Sequence, residues 1–231
     1  RQTMYLIEGE DKAVLIDTGT RCADLDKIVG QITGKPLEVI VTHMHPDHAG
    51  CIKYFDKVWM HRADTVLVPQ HAADYQGEFL YMEEGQVFDL GGRKLEVAWM
   101  PGHTPGSVVL LDKANGDCYS GDAFGSGEVW LQCVPMSPIA TFHESCCRME
   151  KLMKEGHIKD IWCGHYPYLK SSLPLAYIQT MIRISHRLMN GDQEGSEPYS
   201  NYFIKMPPTA RKLAEGRAMI VYDSTNIPEA R

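Results

Sequence analysis

Three imidazoles and a carboxylate fall within six consecutive positions of this chain, in the run Thr42-His43-Met44-His45-Pro46-Asp47-His48-Ala49-Gly50. The run follows directly on residues 37–41, a mostly apolar stretch that reads as a strand. In an extended segment residues two apart face the same way, so His43 and His45 can address one metal ion together. Pro46 favours a change of direction into a helix, which turns Asp47 and His48 toward a second ion beside the first. A lone histidine is more often structural than a ligand, but H-x-H-x-D-H after a buried strand has few structural explanations.

Three later segments have the same character: Pro101-Gly102-His103-Thr104-Pro105-Gly106, Ser120-Gly121-Asp122-Ala123 and Cys163-Gly164-His165-Tyr166-Pro167. Each puts a ligand-type residue beside a predicted strand end. Strands at 107–112 and 118–120 flank Asn115-Gly116, a pair that favours a tight hairpin turn. That hairpin brings the loop before Ser107 and the loop after Ser120 to one end, so His103 and Asp122 are expected side by side. Taken singly, His103 could cap a turn, Asp122 could form an Asx turn and His165 could be a partly buried core histidine. Their occurrence in this order after the histidine cluster argues for one shared site.

The rest of the chain alternates strands and helices. Residues 3–7 and 13–16 read as a hairpin around Gly9-Glu10-Asp11-Lys12, and Leu25, Ile28, Val29 and Ile32 recur at helical spacing up to a stop at Gly34 and Pro36. A helix is predicted over 47–55, with strands at 58–60 and 93–99. Thr141 and Glu144 form a capping box ahead of the stripe Phe142, Cys146, Met149 and Leu152. A strand at 160–163 precedes a long helix starting at Pro174, with Leu175, Ile178, Met181, Ile182, Leu188 and Met189 on one face, and a last strand covers 217–222. The polar segment 191–201, with Gly191, Gly195 and Pro198, reads as a mobile surface loop. No repeat or long linker divides the sequence, so a single α/β domain over residues 1–231 is predicted.

A formal charge of −7 and a pI near 5.8 offer no long-range attraction to phosphate backbones or anionic lipid. No apolar run approaches the ~18 residues of a membrane span. The expected partner is a small-molecule substrate, with no nucleic acid and no membrane, and the oligomeric state is left open. Seven cysteines without a C-x-x-C pair read as reduced, packed thiols. A cytoplasmic location is the expectation, with an upstream leader left open because the chain starts at Arg1.

The motifs T-H-x-H-x-D-H-x-G, G-H-T-P-G-S, S-G-D and G-H, in this order, resemble the metallo-β-lactamase superfamily. The likeness runs from Asp17-Thr18-Gly19 to His165, about two thirds of the chain. It implies an α/β fold, a four-layer αβ/βα sandwich with two mixed β-sheets, outer helices and the metals at one edge. It also implies that His43, His45 and His103 bind one metal, that Asp47, His48 and His165 bind a second, and that Asp122 bridges them. Asp17 would support the histidine loop by hydrogen bonds. Imidazole and carboxylate ligands without thiolate suit zinc and accept iron or manganese, so two divalent ions, zinc first, are expected.

The activity implied is hydrolysis by a hydroxide held between two metals about 3.5 to 4 Å apart, with Asp47 orienting the nucleophile and shuttling its proton. The expected substrate is a small ester, lactone or thioester; the alternatives are a phosphodiesterase or an iron-dependent persulfide dioxygenase-like oxidoreductase. Flavodiiron relatives carry Glu at the position of His45, the G-R-x-D-F segment of the persulfide dioxygenases is not found after Asp122, and true β-lactamases lack the bridging aspartate. These comparisons point toward the glyoxalase II, lactonase and phosphodiesterase groups. Glyoxalase II enzymes bind glutathione through basic residues near the C-terminus, and Lys205, Arg211 and Lys212 are available there without a recognisable pattern. Tyr119, Phe124, Trp130, Tyr166 and Tyr168 flank the metal motifs, as pocket wall or as plain core.

Overall fold

Short aliphatic runs punctuated by turns build the first sheet. The computed structural model describes residues 2–202 and 205–228. Strands β1 (Tyr5–Glu8) and β2 (Ala13–Ile16) pair antiparallel as the predicted hairpin. Helix α1 (Leu25–Ile32) returns the chain so that β3 (Leu37–Ile40) lies parallel to β2. The helix predicted over 47–55 is interrupted, leaving α2 (Pro46–Ala49) and a 3₁₀ turn (Ile52–Tyr54). Thr18 explains the break. Its N–H and hydroxyl both donate to the His48 carbonyl, at 2.7 and 2.9 Å, and so occupy the acceptor that a continuing helix would offer to Ile52. Strand β4 (Lys57–His61), helix α3 (Val68–His71) and strand β5 (Glu78–Met82) follow, completing a five-stranded sheet in the order β1-β2-β3-β4-β5.

The second sheet is an antiparallel meander of β6 (Val87–Asp89), β7 (Lys94–Trp99), β8 (Val108–Asp112) and β9 (Asp117–Gly121). Strand β10 (Glu128–Trp130) then leaves the sheet, and helix α4 (Ile139–Lys154) carries the chain to β11 (Asp160–Cys163), which joins β9 in parallel. The Thr141 and Glu144 capping box does not form. The helix is capped from Pro138 without a side-chain bond, and Thr141 is already inside its first turn, donating its N–H to Pro138 O. Helices α5 (Tyr166–Leu169) and α6 (Leu175–Met189) lead to β12 (Glu197–Pro198), β13 (Ala210–Glu215) and β14 (Ala218–Asp223). These three join β10 in a further sheet ordered β10-β14-β13-β12. The segment predicted as a loose loop at 191–201 is fastened at both ends, by Arg187 Nε on Asp192 at 2.7 Å and by the pairing of β12 with β13.

Strand side chains alternate between faces. Leu15 and Val39 meet Leu25 and Val29 of α1 on one side of the first sheet. Val14, Ile16 and Ile40 on the other side meet Leu95, Val97, Val108 and Leu110 of the second sheet. Beyond that sheet, Val109, Leu111 and Cys118 pack against Phe142, Cys146 and Met149 of α4 and Ile178 and Met181 of α6. The result is the predicted order of helix, mixed sheet, mixed sheet, helix, with the C-terminal strands contributing Leu213 and Ile220 to the last layer. Each such aliphatic side chain removed from water contributes about 1.5–3 kcal/mol. Among the described residues, no helix is long and apolar enough to cross a membrane.

Candidate metal centre

Four strand ends meet at one edge of the sandwich. The chain leaving β3 runs straight into Val41-Thr42-His43, and Val108 N–H at the start of β8 donates to Thr42 O at 3.0 Å, tying the two sheets together there. The loop before β8 carries His103. Because β11 runs parallel to β9 with Cys163 opposite Gly121, the residues that follow them, Asp122 and His165, emerge side by side. The bond from Gly164 N–H to Gly121 O, 2.7 Å, locks that register.

All seven residues singled out in the sequence gather at this edge, in two groups. His43, His45 and His103 present ligand atoms within 4.8 Å of one another, as do Asp47, His48, Asp122 and His165. In the first group His45 Nδ1 lies 2.9 Å from His103 Nε2. In the second, His165 Nε2 lies 3.1 Å from Asp122 Oδ2 and 3.3 Å from Asp47 Oδ2. His48 Nε2 stands 3.5 Å from Asp122 Oδ2 and 3.7 Å from Asp47 Oδ2. The groups adjoin: the rings of His43 and His48 are 4.1 Å apart.

The surroundings orient these rings. Asp17, in the left-handed region at φ 63°, accepts from Thr42 N–H at 2.8 Å, lies 3.1 Å from the Thr42 hydroxyl and is 2.7 Å from His48 Nδ1. This is the supporting role expected of it, and it leaves His48 Nε2 to face the centre. His43 Nδ1 is 3.1 Å from the Thr42 hydroxyl, and His103 Nδ1 is 2.8 Å from the Trp130 carbonyl. Two supports have no counterpart in the sequence reading. The Trp130 contact is a backbone carbonyl, which carries no side-chain signature. Asp64, fully buried in a 3₁₀ turn, accepts from Met44 N–H at 2.9 Å, Gly106 N–H at 2.6 Å and the Thr104 hydroxyl at 3.0 Å. It thereby joins the loop of His43 and His45 to the loop of His103.

Burial and mutual charge set the protonation of the cluster. Burial pushes His43 well below the ordinary imidazole value, with His48 and His103 adding to it, and burial with His103 holds His45 at about 3. Burial also lowers His103. These three rings are therefore neutral, the form that ligates. For His48 burial acts downward, but Asp17 and Asp122 outweigh it and push the ring well above the ordinary value. Burial would raise Asp122 and Asp47; His48 and the hydrogen bond to His165 instead hold Asp122 well below the usual carboxylate range, and His165 and His48 hold Asp47 at about 2.

The donor set fits metal ions. Buried His43 Nε2, His48 Nε2 and Asp122 Oδ1 have no hydrogen-bond partner among the described residues. Each such atom costs about 1–3 kcal/mol if left unsatisfied, and all three lie where cations would satisfy them. The space is closely shaped: a Cβ on Gly164 would stand 2.5 Å from His48 Cε1 and 2.6 Å from Asp122 Oδ1. Gly164→Ala is therefore expected to displace both side chains and weaken metal retention by about 10–100-fold, read by chelator competition; unchanged retention would contradict the packing described.

The remaining flagged residues divide. Phe124 is fully buried, and Tyr119 is buried against Tyr5, so both are core. Tyr168 packs 5.8 Å from the His165 ring and Trp130 supports His103, so these two border the centre. Tyr166 packs against Trp162. Arg211 is bound to Ser196 and Lys212 pairs with Glu197, while Lys205 is exposed, so among the described residues no basic cluster gathers there. His71, unremarked in the sequence, sets its ring edge 5.8 Å from that of His45.

Known proteins resemble this chain in sequence and in fold. The human acyl-coenzyme A thioesterase MBLAC2 is 26% identical over 205 residues, spanning 72% of this chain and 73% of that protein. A hydroxyacylglutathione hydrolase of Aeromonas salmonicida (strain A449) is 27% identical over 179 residues, 75% of this chain and 64% of that protein. The crystal structure of TTHA1623 in a di-iron-bound form superposes with a TM-score of 0.61 at 26% identity, covering 76% of this chain and 91% of that one. The sequence profile of the metallo-beta-lactamase superfamily matches residues 1–143. With more than half of its length matching that profile, the chain belongs to the metallo-β-lactamase superfamily of metal-dependent hydrolases.

Proposed function

We propose that the chain hydrolyses a small thioester or related ester or lactone at a centre of two divalent metal ions. The observation that carries this reading is the convergence of seven ligand-type side chains with three buried ligand atoms left unpaired. His43, His45 and His103 would hold one ion and Asp47, His48 and His165 the other, with Asp122 between them. Imidazole and carboxylate donors suit zinc, our first assignment, and the same donors serve iron or manganese. When bound, such a pair supplies Lewis acidity and a water acidified toward a pKa of ~7.

The protein's own residues do the rest. Asp17 and Thr42 fix the directions of His48 and His43 through their Nδ1 atoms. The Asp47 side chain is 39% exposed against 15% for Asp122, so it is the carboxylate that reaches the mouth. There it can orient the attacking water and pass its proton to the departing thiolate or alkoxide. A thioester ranks first because the similar proteins include one named as an acyl-coenzyme A thioesterase and one as a hydroxyacylglutathione hydrolase.

Elemental analysis of the purified protein, followed by thioester, lactone, phosphodiester and persulfide substrates, tests the reading. Thioester or lactone turnover that follows metal content supports it. Turnover of bis(p-nitrophenyl) phosphate alone, or oxygen uptake with a persulfide by an iron-loaded protein, would replace it with the phosphodiesterase or the dioxygenase.

A further inference from the structure

Far along the chain from the metal centre, helices α4 and α6 bring together a second set of ligand-type side chains. His143 and Cys147 stand one turn apart on α4, a spacing that puts them on one face. His143 Nε2 lies 3.5 Å from Cys147 Sγ, and His143 Nδ1 lies 2.9 Å from Ser185 Oγ of α6. The Ser185 hydroxyl donates back to its own helix, at 2.7 Å from Met181 O and 3.1 Å from Ile182 O. Its proton is thus committed, and only a lone pair is left for His143. His143 therefore carries its proton on Nδ1 and turns a bare Nε2 toward the thiol. His186, the next residue on α6, sets its ring 6.0 Å from that of His143 and is exposed. The two helices frame a groove lined by His143, Ile182, Arg183, His186, Arg187 and Glu215.

We infer that His143, Cys147 and His186 form a separate binding site for one thiophilic divalent cation of the zinc class. The spacing of the first two donors suits it. With Zn–N near ~2.0 Å and Zn–S near ~2.3 Å, a tetrahedral site separates its N and S atoms by about 3.5 Å. Ser185 plays the part that an orienting acceptor plays behind a ligating imidazole. His186, whose ring lies 3.4 Å from the Asn190 amide, would have to turn toward Cys147 to take the third position, with solvent completing the fourth. The local charge is favourable. Arg183 and Arg187 are already paired, with Glu215 and Asp192. Burial, and then Glu150 and Glu144, push the Cys147 thiol up, and the same carboxylates favour a cation beside it. On binding, the thiol proton goes to solvent and the thiolate becomes the ligand. The ion would then staple α4 to α6. The plain alternative is an S–H···N hydrogen bond with no ion.

Cobalt(II) distinguishes the two, because a thiolate ligand gives it a near-ultraviolet charge-transfer band and the seven residues of the main centre include no thiolate. Cobalt titration of the protein, reduced with a phosphine, is expected to fill the main centre and then one further equivalent that brings in the band. Cys147→Ser should lose both the band and that equivalent while keeping its hydrolytic activity. His186→Ala, at an exposed position, should weaken the extra equivalent by at least about tenfold. Absence of the band at saturating cobalt, or its survival in Cys147→Ser, overturns the assignment. Neither result bears on the reaction proposed for the main centre.

Discussion

Asp122→Ala is expected to lower kcat/KM by at least about a thousandfold, because in the proposed centre several kcal/mol of transition-state stabilisation would depend on a metal pair held partly by this residue. One of its oxygens already faces His48 and His165, and the other is buried without a partner among the described residues, so the side chain is disposed toward both ligand groups at once. The alanine variant should also lose metal in elemental analysis. The fold should persist, because His48 keeps Asp17 as a partner and the cores of both sheets lie elsewhere. Activity within tenfold of wild type, with metal retained, would remove Asp122 from the centre.

The second large effect concerns stability. Asp64→Ala strips the acceptor from two buried backbone N–H groups, Met44 and Gly106, and from the Thr104 hydroxyl. At about 1–3 kcal/mol for each stranded donor, the loss should be about 3–5 kcal/mol. For a chain of this size each kcal/mol moves Tm by roughly 2–4 °C, so a drop of about 10 °C is expected in calorimetry of the metal-free protein. Asp64→Asn should fall between, since its amide keeps one acceptor oxygen and turns an NH₂ group toward a donor. A Tm within about 2 °C of wild type in Asp64→Ala would show that the two loops do not depend on this carboxylate.

The contrast between Asp122 and Asp64 marks where sequence reasoning stopped. Asp122 sits in a loop beside a strand end, after a hairpin with a recognisable turn, and in the order that the histidine cluster leads one to expect. The strand-end loops at His43, His103 and His165 were legible for the same reason: apolar strand followed by an out-of-place polar ligand. Asp64 lies in Arg62-Ala63-Asp64-Thr65, an ordinary polar stretch, and its partners come from loops 20 and 42 residues away. No local pattern reports such a contact. The break after Ala49 was equally hidden, since apolar periodicity favours one helix over 47–55 and the competing Thr18 bonds arise from a distant turn. Helix α4 shows a milder case: a capping-box pattern was present, but the chain had already turned at Pro138. Strands β5 and β13 went unread because their alternation is partial, with mixed burial along each.

Anomalous diffraction from crystals of the protein as purified, recorded at the zinc and iron absorption edges, addresses the central claim most directly. Two peaks are expected, one among His43, His45 and His103 and one among Asp47, His48 and His165, with Asp122 reaching both. A single peak elsewhere on the protein, or none at the junction of these strand ends after supplying zinc or iron, would contradict it.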